Sequence, residues 1–245
     1  MSQVRYQMRI AEDAEDIRAA QHLRHVAFKA ALDDGLDCDS YDAACRHVVV
    51  EDSCRARLVA TCRVLPLASG AEVDQSYSAQ FYDLTGLSGY YGPISELGRF
   101  CTAEDARDPD ILRALWGGVA QIVEETGSRM LFGCSSFKGT DASAYSDTFS
   151  MLCEDHLAPR HWRPKVKAPK VFRFAKRSRR VQDRAEALRR MPPMLRSYLS
   201  LGGRVSDHAV VDAELNTLHV FTGLEISAIP AARARSLRDL GGIGK

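Results

Sequence analysis

The sequence lacks several patterns that would assign a protein class directly. No run approaches the roughly 18 consecutive apolar residues of a membrane-spanning helix, and the first residues, Met1 to Arg5, do not form a secretory signal pattern. It also contains no P-loop, no G-x-G-x-x-G after a predicted strand, no H-E-x-x-H and no G-x-S-x-G. These absences argue against P-loop nucleotide hydrolases, dinucleotide-dependent enzymes, zinc peptidases and α/β-hydrolases.

Cysteine pairs are missing as well. The seven cysteines are an odd number and include no C-x-x-C pair, a usage that fits a reducing compartment better than a disulfide framework or a zinc site. We therefore expect a cytoplasmic protein without a bound metal. Cys134 and Cys153 are interpreted as small core residues.

The net charge of +1 hides a strong asymmetry. Residues 160–190 contain 13 Lys or Arg and only two acids, a local charge of +11, so the rest of the chain carries −10. Such a basic segment is either a solvated stretch or a surface for an anionic partner: an acidic protein, a phospholipid surface or nucleic acid.

The order of elements predicts an α/β (α+β) protein. We expect a core over residues 1–159, the basic segment 160–190, and a C-terminal helix with strands over 191–245 that completes the domain. Hydrophobic periodicity predicts strands at 4–10, 45–50, 57–67, 129–134, 209–211 and 218–224, and helices at 13–32, 109–126, 143–156, 184–190, 192–201 and 230–240. Residues 135–141 are expected to form a turn, and 78–83 a short helix.

The stretch Ser95 to Cys101 places two charges in an apolar strand. Alternation puts Glu96 with Gly98 and Phe100 on one face, and Arg99 with Leu97 and Cys101 on the other. Because buried charges are costly, each needs a partner or a role. The stretch is therefore a structural ion pair, an edge strand or part of a functional site.

Three further features place charge beside apolar residues. Arg24 shares a helix face with Phe28 and either extends to solvent or reaches into a cleft. Arg63 lies in a strand that should be mostly buried. The loop at 33–42 carries five aspartates, including Asp37, Asp39 and Asp42, but lacks the final Glu of a calcium loop. The loop is either a solvated turn or a binding site for a cation. Between a metal ion and a cationic substrate, we favour the substrate.

Together these residues resemble a known family. The order Arg24-x-x-x-Phe28, Asp37-x-Asp39-x-x-Asp42, Arg63 and Glu96-x-x-Arg99-Phe100 is similar to the acyl-homoserine-lactone synthases, which are GNAT-like acyltransferases. A closer resemblance, over about residues 20 to 225, is to the ornithine N-acyltransferases that make lyso-ornithine lipid. The phrases that carry it are Tyr77-Ser78-Ala79-Gln80, Glu96-Leu97-Gly98-Arg99, Leu131-Phe132-Gly133-Cys134, Ser136-Phe137-x-Gly139-Thr140-Asp141, His156-Leu157-Ala158-Pro159, Pro192-Pro193-Met194-Leu195-Arg196-x-Tyr198-Leu199-x-Leu201-Gly202 and Ala209-Val210-Val211-Asp212.

The resemblance implies a GNAT-like mixed central sheet flanked by helices. It also implies transfer of a 3-hydroxyacyl chain from acyl carrier protein to the α-amine of ornithine, the first step of ornithine lipid synthesis. Glu96 is the candidate general base and Asp39 the reserve, while N–H groups near Gly98 or Phe100 would stabilise the oxyanion. The remaining candidate substrate-binding residues are Arg24, Phe28, Asp37, Asp42, Arg63, Arg99, Phe100, Ser135, Ser136 and Phe137, with Phe132 as a further wall for the acyl chain.

A departure from coenzyme-A-dependent relatives supports the donor that the resemblance implies. Residues 102–108 lack the glycines that would cradle a pyrophosphate, so we expect no bound cofactor and the phosphopantetheine arm of acyl carrier protein as donor. Candidate carrier-docking residues are Arg107, Arg163, Lys165, Lys167 and Lys170. The basic segment could also hold the protein near anionic membrane lipid; no nucleic-acid partner is expected.

Two other readings of the resemblance stay open. One is an N-acyl amino acid or acyl-homoserine-lactone synthase, the latter requiring an adenosylmethionine pocket for which the sequence shows no marker. The other is a non-catalytic module that binds membrane or nucleic acid through the basic segment, for which Glu96 would be dispensable.

Overall fold

The computed structural model describes residues 5–29, 33–177 and 180–240. In these ranges the strands are β1 (Tyr6–Ile10), β2 (Arg46–Asp52), β3 (Arg57–Leu67), β4 (Tyr82–Asp83), β5 (Ile94–Thr102), β6 (Met130–Lys138), β7 (Lys165–Val166), β8 (Val171–Phe172), β9 (Arg204–Asp212) and β10 (Thr217–Glu225). The helices are α1 (Ala14–Lys29), α2 (Pro109–Thr126), α3 (Ser146–Asp155), α4 (Phe174–Arg177), α5 (Arg184–Arg190), α6 (Pro193–Ser200) and α7 (Ala231–Leu240).

The chain divides into two compact units. The first comprises Met1–Pro66, Leu97–Ser128 and Ala231–Lys245, and the second comprises Leu67–Glu96 and Arg129–Pro230. Strand β5 therefore contributes residues 94–96 to the second unit and 97–102 to the first. Each unit combines strands with helices, which confirms the predicted mixed α/β class.

The first unit is built on β1, β2 and β3, which pair antiparallel in that order, with β5 following β3. Helix α2 packs on β1, β2 and α7. The helix approaches the strands closely at Gly118, where an added Cβ would lie only 2.4 Å from Cγ1 of Val48. The apolar face of α2 is consequently buried, including Leu115 and Trp116.

The second unit has β10 at the centre of an antiparallel arrangement, pairing with β6 on one side and β9 on the other, with β8 on the outer side of β9. Helix α3 contacts both α4 and α5, and residues of these helices join an apolar cluster that includes Phe137, Phe149, Phe174, Leu218 and Val220. A separate two-stranded pair joins β4 to β7, with Tyr82 opposite Val166 and Asp83 opposite Lys165.

Most predicted elements are confirmed. The predicted helix at 109–126 matches α2, which Pro109 begins and Gly127 ends at φ 62°. The predicted strands at 45–50 and 57–67 match β2 and β3, which pair antiparallel. Val4 at the start of the first predicted strand, residues 30–32 at the end of the first predicted helix, and residues 178–179 of the basic segment lie outside the described residues.

Two local predictions were wrong. Residues 135–138 are not a turn: β6 continues to Lys138, because its residues pair with β10, Ser136 opposite His219. The expected short helix at 78–83 is a single 3₁₀ turn, Ser78–Gln80, followed by β4. In addition, strict alternation along β5 fails at Arg99, whose φ of 52° is left-handed.

Candidate active site

A ring of ion pairs joins six of the predicted site residues in the first unit. Arg24 contacts Asp37 and Asp42 at 2.9 and 2.8 Å, and Arg63 contacts Asp42 and Asp39 at 2.5 and 2.6 Å. Arg99 closes the ring, at 3.0 Å from Asp39 and 2.9 Å from Asp37. Every arginine thus contacts two aspartates and every aspartate two arginines. We call these six residues the ion-pair ring.

Four elements supply the ring. Helix α1 carries Arg24, strand β3 carries Arg63, strand β5 carries Arg99, and the loop between α1 and β2 carries the aspartates. Guanidinium groups suit this arrangement because their planar fork bonds two oxygens at once. Arg24 therefore neither extends to solvent nor projects alone into a cleft: its side chain is 1% exposed and fully engaged with the aspartate loop.

Exposure is graded around the ring. The side chains of Arg24, Arg63 and Asp42 are 1%, 4% and 8% exposed, whereas those of Arg99 and Asp39 are 15% and 23% exposed. The ring thus has a buried side and a more accessible edge formed by Arg99 and Asp39.

The ring determines the protonation of its carboxylates. Burial alone would raise the pKa of Asp39, but hydrogen bonds and charge from Arg63, with the charge of Arg99, outweigh it, so that pKa lies below its usual value. The pKa of Asp42 is lowered further, because Arg24 and Arg63 outweigh the effect of burial. A carboxylate so stabilised is a weak proton acceptor, which counts against Asp39 as the reserve base.

Glu96 has a different environment in the second unit. Its Oε2 accepts the N–H of Tyr77 at 2.8 Å, and its Oε1 accepts the N–H of Ser78 at 2.7 Å and the Ser78 hydroxyl at 2.5 Å. The residue is 5% exposed. Neutral donors from one turn therefore fix the position of this carboxylate. The Ser78 oxygen also lies 3.4 Å from Sγ of Cys134.

The turn that holds Glu96 is a part of the candidate site that sequence reasoning missed. Tyr77 and Ser78 were noted as part of a phrase shared with the resembled family, but no role followed from that. Ser76 stabilises the turn by donating to the carbonyl of Val73 at 2.6 Å and accepting the N–H of Ala79 at 3.3 Å. Ser76 and Ser78 lie about 20 residues before Glu96, and nothing in their local sequence indicates that Ser78 bonds its carboxylate.

Strand β6 separates its three predicted substrate-binding residues. Ser135 is buried and accepts a hydrogen bond from the Thr222 hydroxyl at 3.0 Å, and Phe137 is buried in the cluster beneath α3. Ser136 lies on the other face and is exposed. Phe137 therefore packs as a core residue, which counts against its proposed contact with an acyl chain, and so does Phe132, which stacks on Phe221. By contrast, Phe28 and Phe100 are half-buried.

The predicted carrier-docking residues also differ among themselves. Arg163 donates to the carbonyl of Ala158 at 2.7 Å, and Lys167 donates to that of Ala79 at 2.6 Å. Lys165, Lys167 and Lys170 are exposed. Arg107 is exposed and belongs to the first unit. Thus two of the five candidates are engaged with backbone carbonyls.

Two searches limited to the described residues complete the picture. In residues 5–29, 33–177 and 180–240, no three His, Cys, Asp or Glu side chains lie together as a metal site would require. Across these same ranges, no helix combines the length and apolarity needed to cross a membrane.

Comparison with known proteins identifies the family. An acetyltransferase (GNAT) domain matches residues 21–117. An L-ornithine N(alpha)-acyltransferase of Rhodobacter capsulatus is 33% identical over 238 residues, covering 91% of each chain. This chain belongs to the L-ornithine N(alpha)-acyltransferase family. A member from Brucella abortus is 28% identical, over 91% of this chain and 85% of its own.

Solved structures confirm the fold. TofI, solved in a ternary complex with an inhibitor and MTA, has a TM-score of 0.54 at 14% identity, over 96% of this chain and 99% of its own. BjaI, a CoA-dependent acyl-homoserine lactone synthase solved with MTA, has a TM-score of 0.52 at 14% identity, over 98% and 91%. These structures show the fold, and the relative and the domain match above show an acyltransferase, as the sequence resemblance implied.

Proposed function

We propose that this protein transfers a 3-hydroxyacyl chain from acyl carrier protein to the α-amine of L-ornithine, the first step of ornithine lipid synthesis. The observation that carries the proposal is the relative named L-ornithine N(alpha)-acyltransferase, which is 33% identical over 91% of both chains. A likeness over that length includes both the ion-pair ring and the turn that holds Glu96.

The acceptor amine is mainly an ammonium ion at neutral pH, so it must lose a proton before it attacks the thioester. We assign Glu96 as the base, acting directly or through a water. Its three hydrogen bonds from Tyr77 and Ser78 give it a fixed direction. We retain Asp39 only as a substrate contact, because two guanidinium groups compete with a proton for its carboxylate.

Recognition of ornithine is assigned to the accessible edge of the ion-pair ring. Arg99 would bind the α-carboxylate through its planar fork, and Asp39 would attract the side-chain ammonium. Arg24, Asp37, Asp42 and Arg63 would then hold these two in place. The half-buried rings of Phe28 and Phe100 are the better candidates for contact with the acyl chain, since they are not enclosed in the core.

The developing oxyanion needs donors near the reacting carbonyl. The left-handed φ of Arg99 interrupts regular β geometry within β5, and irregularities of this kind re-aim groups of a strand beside active sites. This supports the assignment of the oxyanion donors to backbone N–H groups near Gly98 or Phe100.

The donor is assigned from charge. Carrier proteins are acidic, and the basic segment provides an excess of 11 positive charges, with Lys165 and Lys170 exposed. Electrostatic steering of this kind raises association rates by tens to about a thousandfold. The phosphopantetheine arm has a single phosphate, for which the exposed Arg107 is our candidate. The same basic residues would favour peripheral contact with anionic lipid on the cytoplasmic side.

The test is a thiol-release assay with 3-hydroxyacyl carrier protein and each amino acid in turn. We expect release with ornithine only, a product acylated on the α-nitrogen, and at least a hundredfold lower kcat in Glu96→Gln, the scale of removing a general base. Asp39→Asn should instead raise KM for ornithine. Thiol release with another amino acid would identify the protein as an N-acyl amino acid synthase. Formation of a lactone from adenosylmethionine would identify it as an acyl-homoserine-lactone synthase. No release from protein that binds the carrier would overturn the enzyme assignment.

A further inference from the structure

The turn that holds Glu96 is itself hydrogen-bonded to the basic segment. Lys167 donates its ammonium to the carbonyl of Ala79 at 2.6 Å. The N–H of Ala168 donates to the carbonyl of Phe81 at 3.0 Å, and β4 then pairs with β7. These contacts fall on the residues directly after Tyr77 and Ser78, whose N–H groups bind Glu96.

We propose that Lys167 is a positioning residue for Glu96: it fixes the turn at Ala79 and thereby connects the basic segment to the catalytic carboxylate. The inference rests on the proposed function, which assigns Glu96 as the base and the basic segment as the carrier surface. Although Lys167 is exposed, its hydrogen bond to Ala79 assigns it to the positioning of Glu96 rather than to carrier docking.

The geometry gives the connection its physical basis. Ala79 is the middle residue of the 3₁₀ turn Ser78–Gln80, so a shift of its carbonyl tilts the adjacent peptide groups. A charged donor makes a stronger hydrogen bond than a neutral one. Its loss would allow Ser78 and Tyr77 to move together, and Glu96 would lose its fixed direction. Small displacements of a catalytic group can reduce a rate by up to about a hundredfold.

Two roles for Lys167 predict different kinetics. A docking lysine contributes only when the carrier protein is the donor, and its loss raises KM for the carrier. A positioning lysine contributes with every donor, and its loss lowers kcat. A 3-hydroxyacyl thioester of N-acetylcysteamine, which has no protein to dock, separates the two.

We would compare Lys167→Gln, Lys167→Arg and Lys170→Gln with both donors. Lys167→Gln is expected to lower kcat by about tenfold with each donor, within the range that misplacement produces. Lys167→Arg should restore most of the activity, because arginine keeps a charged donor. Lys170→Gln, in which an exposed docking lysine is changed, should raise KM for the carrier. If Lys167→Gln changes only KM for the carrier, the positioning role is wrong.

Hydrogen exchange tests the contact between Lys167 and Ala79 without an activity assay. In Lys167→Gln, peptides covering residues 76–81 should exchange faster than in the unaltered protein. Lys138→Gln, which changes an exposed lysine of β6, is the matched control and should not alter exchange there. Unchanged exchange in Lys167→Gln would overturn the inference. If the unaltered protein uses neither donor, the proposed function fails, and the exchange result decides the Lys167 contact separately.

Discussion

At the scale of single residues, the environment separates carboxylates that look alike in the sequence. Asp39 and Asp42 each contact two arginines in the ion-pair ring, whereas Glu96 accepts hydrogen bonds from Tyr77 and Ser78. Arginine stabilises the charged form of a neighbouring acid, so the two aspartates stay ionised down to low pH. The difference lies in the partners, which are distant in the chain.

His219 predicts a pH dependence of stability. Burial lowers its pKa from 6.5 to about 4, although the charge of Asp212 acts in the opposite direction. Unfolded His219 therefore binds a proton below about pH 6.5, while the folded residue does so only near pH 4. The unfolding free energy should fall by about 3 kcal/mol between these values. His47, whose pKa burial also lowers, acts with the same sign.

Urea denaturation between pH 7.5 and 4 measures this effect. We expect His219→Gln to show a shallower pH dependence than the unaltered protein, and His22→Gln, a change at an exposed histidine, to keep the full dependence. If the unfolding free energy changes equally with pH in all three proteins, the pKa of His219 is not lowered in the folded state.

At the scale of elements, local signals explain which predictions succeeded. Helix α2 was predicted to the residue because its ends depend on nearby chemistry: Asp108 accepts the N–H of Asp110, Pro109 begins the helix and Gly127 ends it. The end of β6 depends on pairing with β10, about 80 residues later in the chain. Composition around Ser135 and Ser136 is turn-like, and only the distant partner makes it a strand.

The same limit applied to the candidate site. Charges within apolar strands identified Arg63, Glu96 and Arg99 from sequence alone. Their partners could not be predicted, because Arg99 and Asp37 are separated by 62 residues and the left-handed φ of Arg99 has no local signal. The members of the ion-pair ring could therefore be predicted from the sequence, but the contacts between them could not.

The hairpin turn between β2 and β3 contains strain that a substitution should relieve. Ala56 has a φ of 48°, a conformation costing a non-glycine residue about 1–2 kcal/mol. We expect Ala56→Gly to raise the unfolding free energy by about 0.5–1 kcal/mol, after the greater backbone entropy of glycine is subtracted. Thermal or urea denaturation measures the change.

Asn216→Gly is the comparison. Asn216 has nearly the same φ, 49°, but asparagine tolerates this region better than alanine does, so its replacement should stabilise the protein less. A loss of stability in Ala56→Gly would contradict the expectation.

At the scale of the whole molecule, charge is divided between segments. The basic segment carries +11 and the rest of the chain −10. If the basic segment recruits an acidic carrier, KM for acyl carrier protein should rise several-fold between 50 and 500 mM NaCl, because salt screens exposed charges that lie farther apart than the Debye length, which is about 10 Å at 0.1 M and shortens as salt is added. Steady-state kinetics with the N-acetylcysteamine thioester should show little change. Equal salt dependence with both donors would exclude steering by this segment.

The ion-pair ring has a consequence for the order in which the protein is made. Asp37 leaves the ribosome 62 residues before Arg99, its second partner, and Asp39 leaves it 24 residues before Arg63. Until β5 is synthesised, the ring is an open chain of charges in which Asp37 and Asp39 each lack one arginine. The aspartate loop can therefore form all its contacts only after β5 is synthesised. Arg99, the last residue of the ring in the chain, completes its accessible edge.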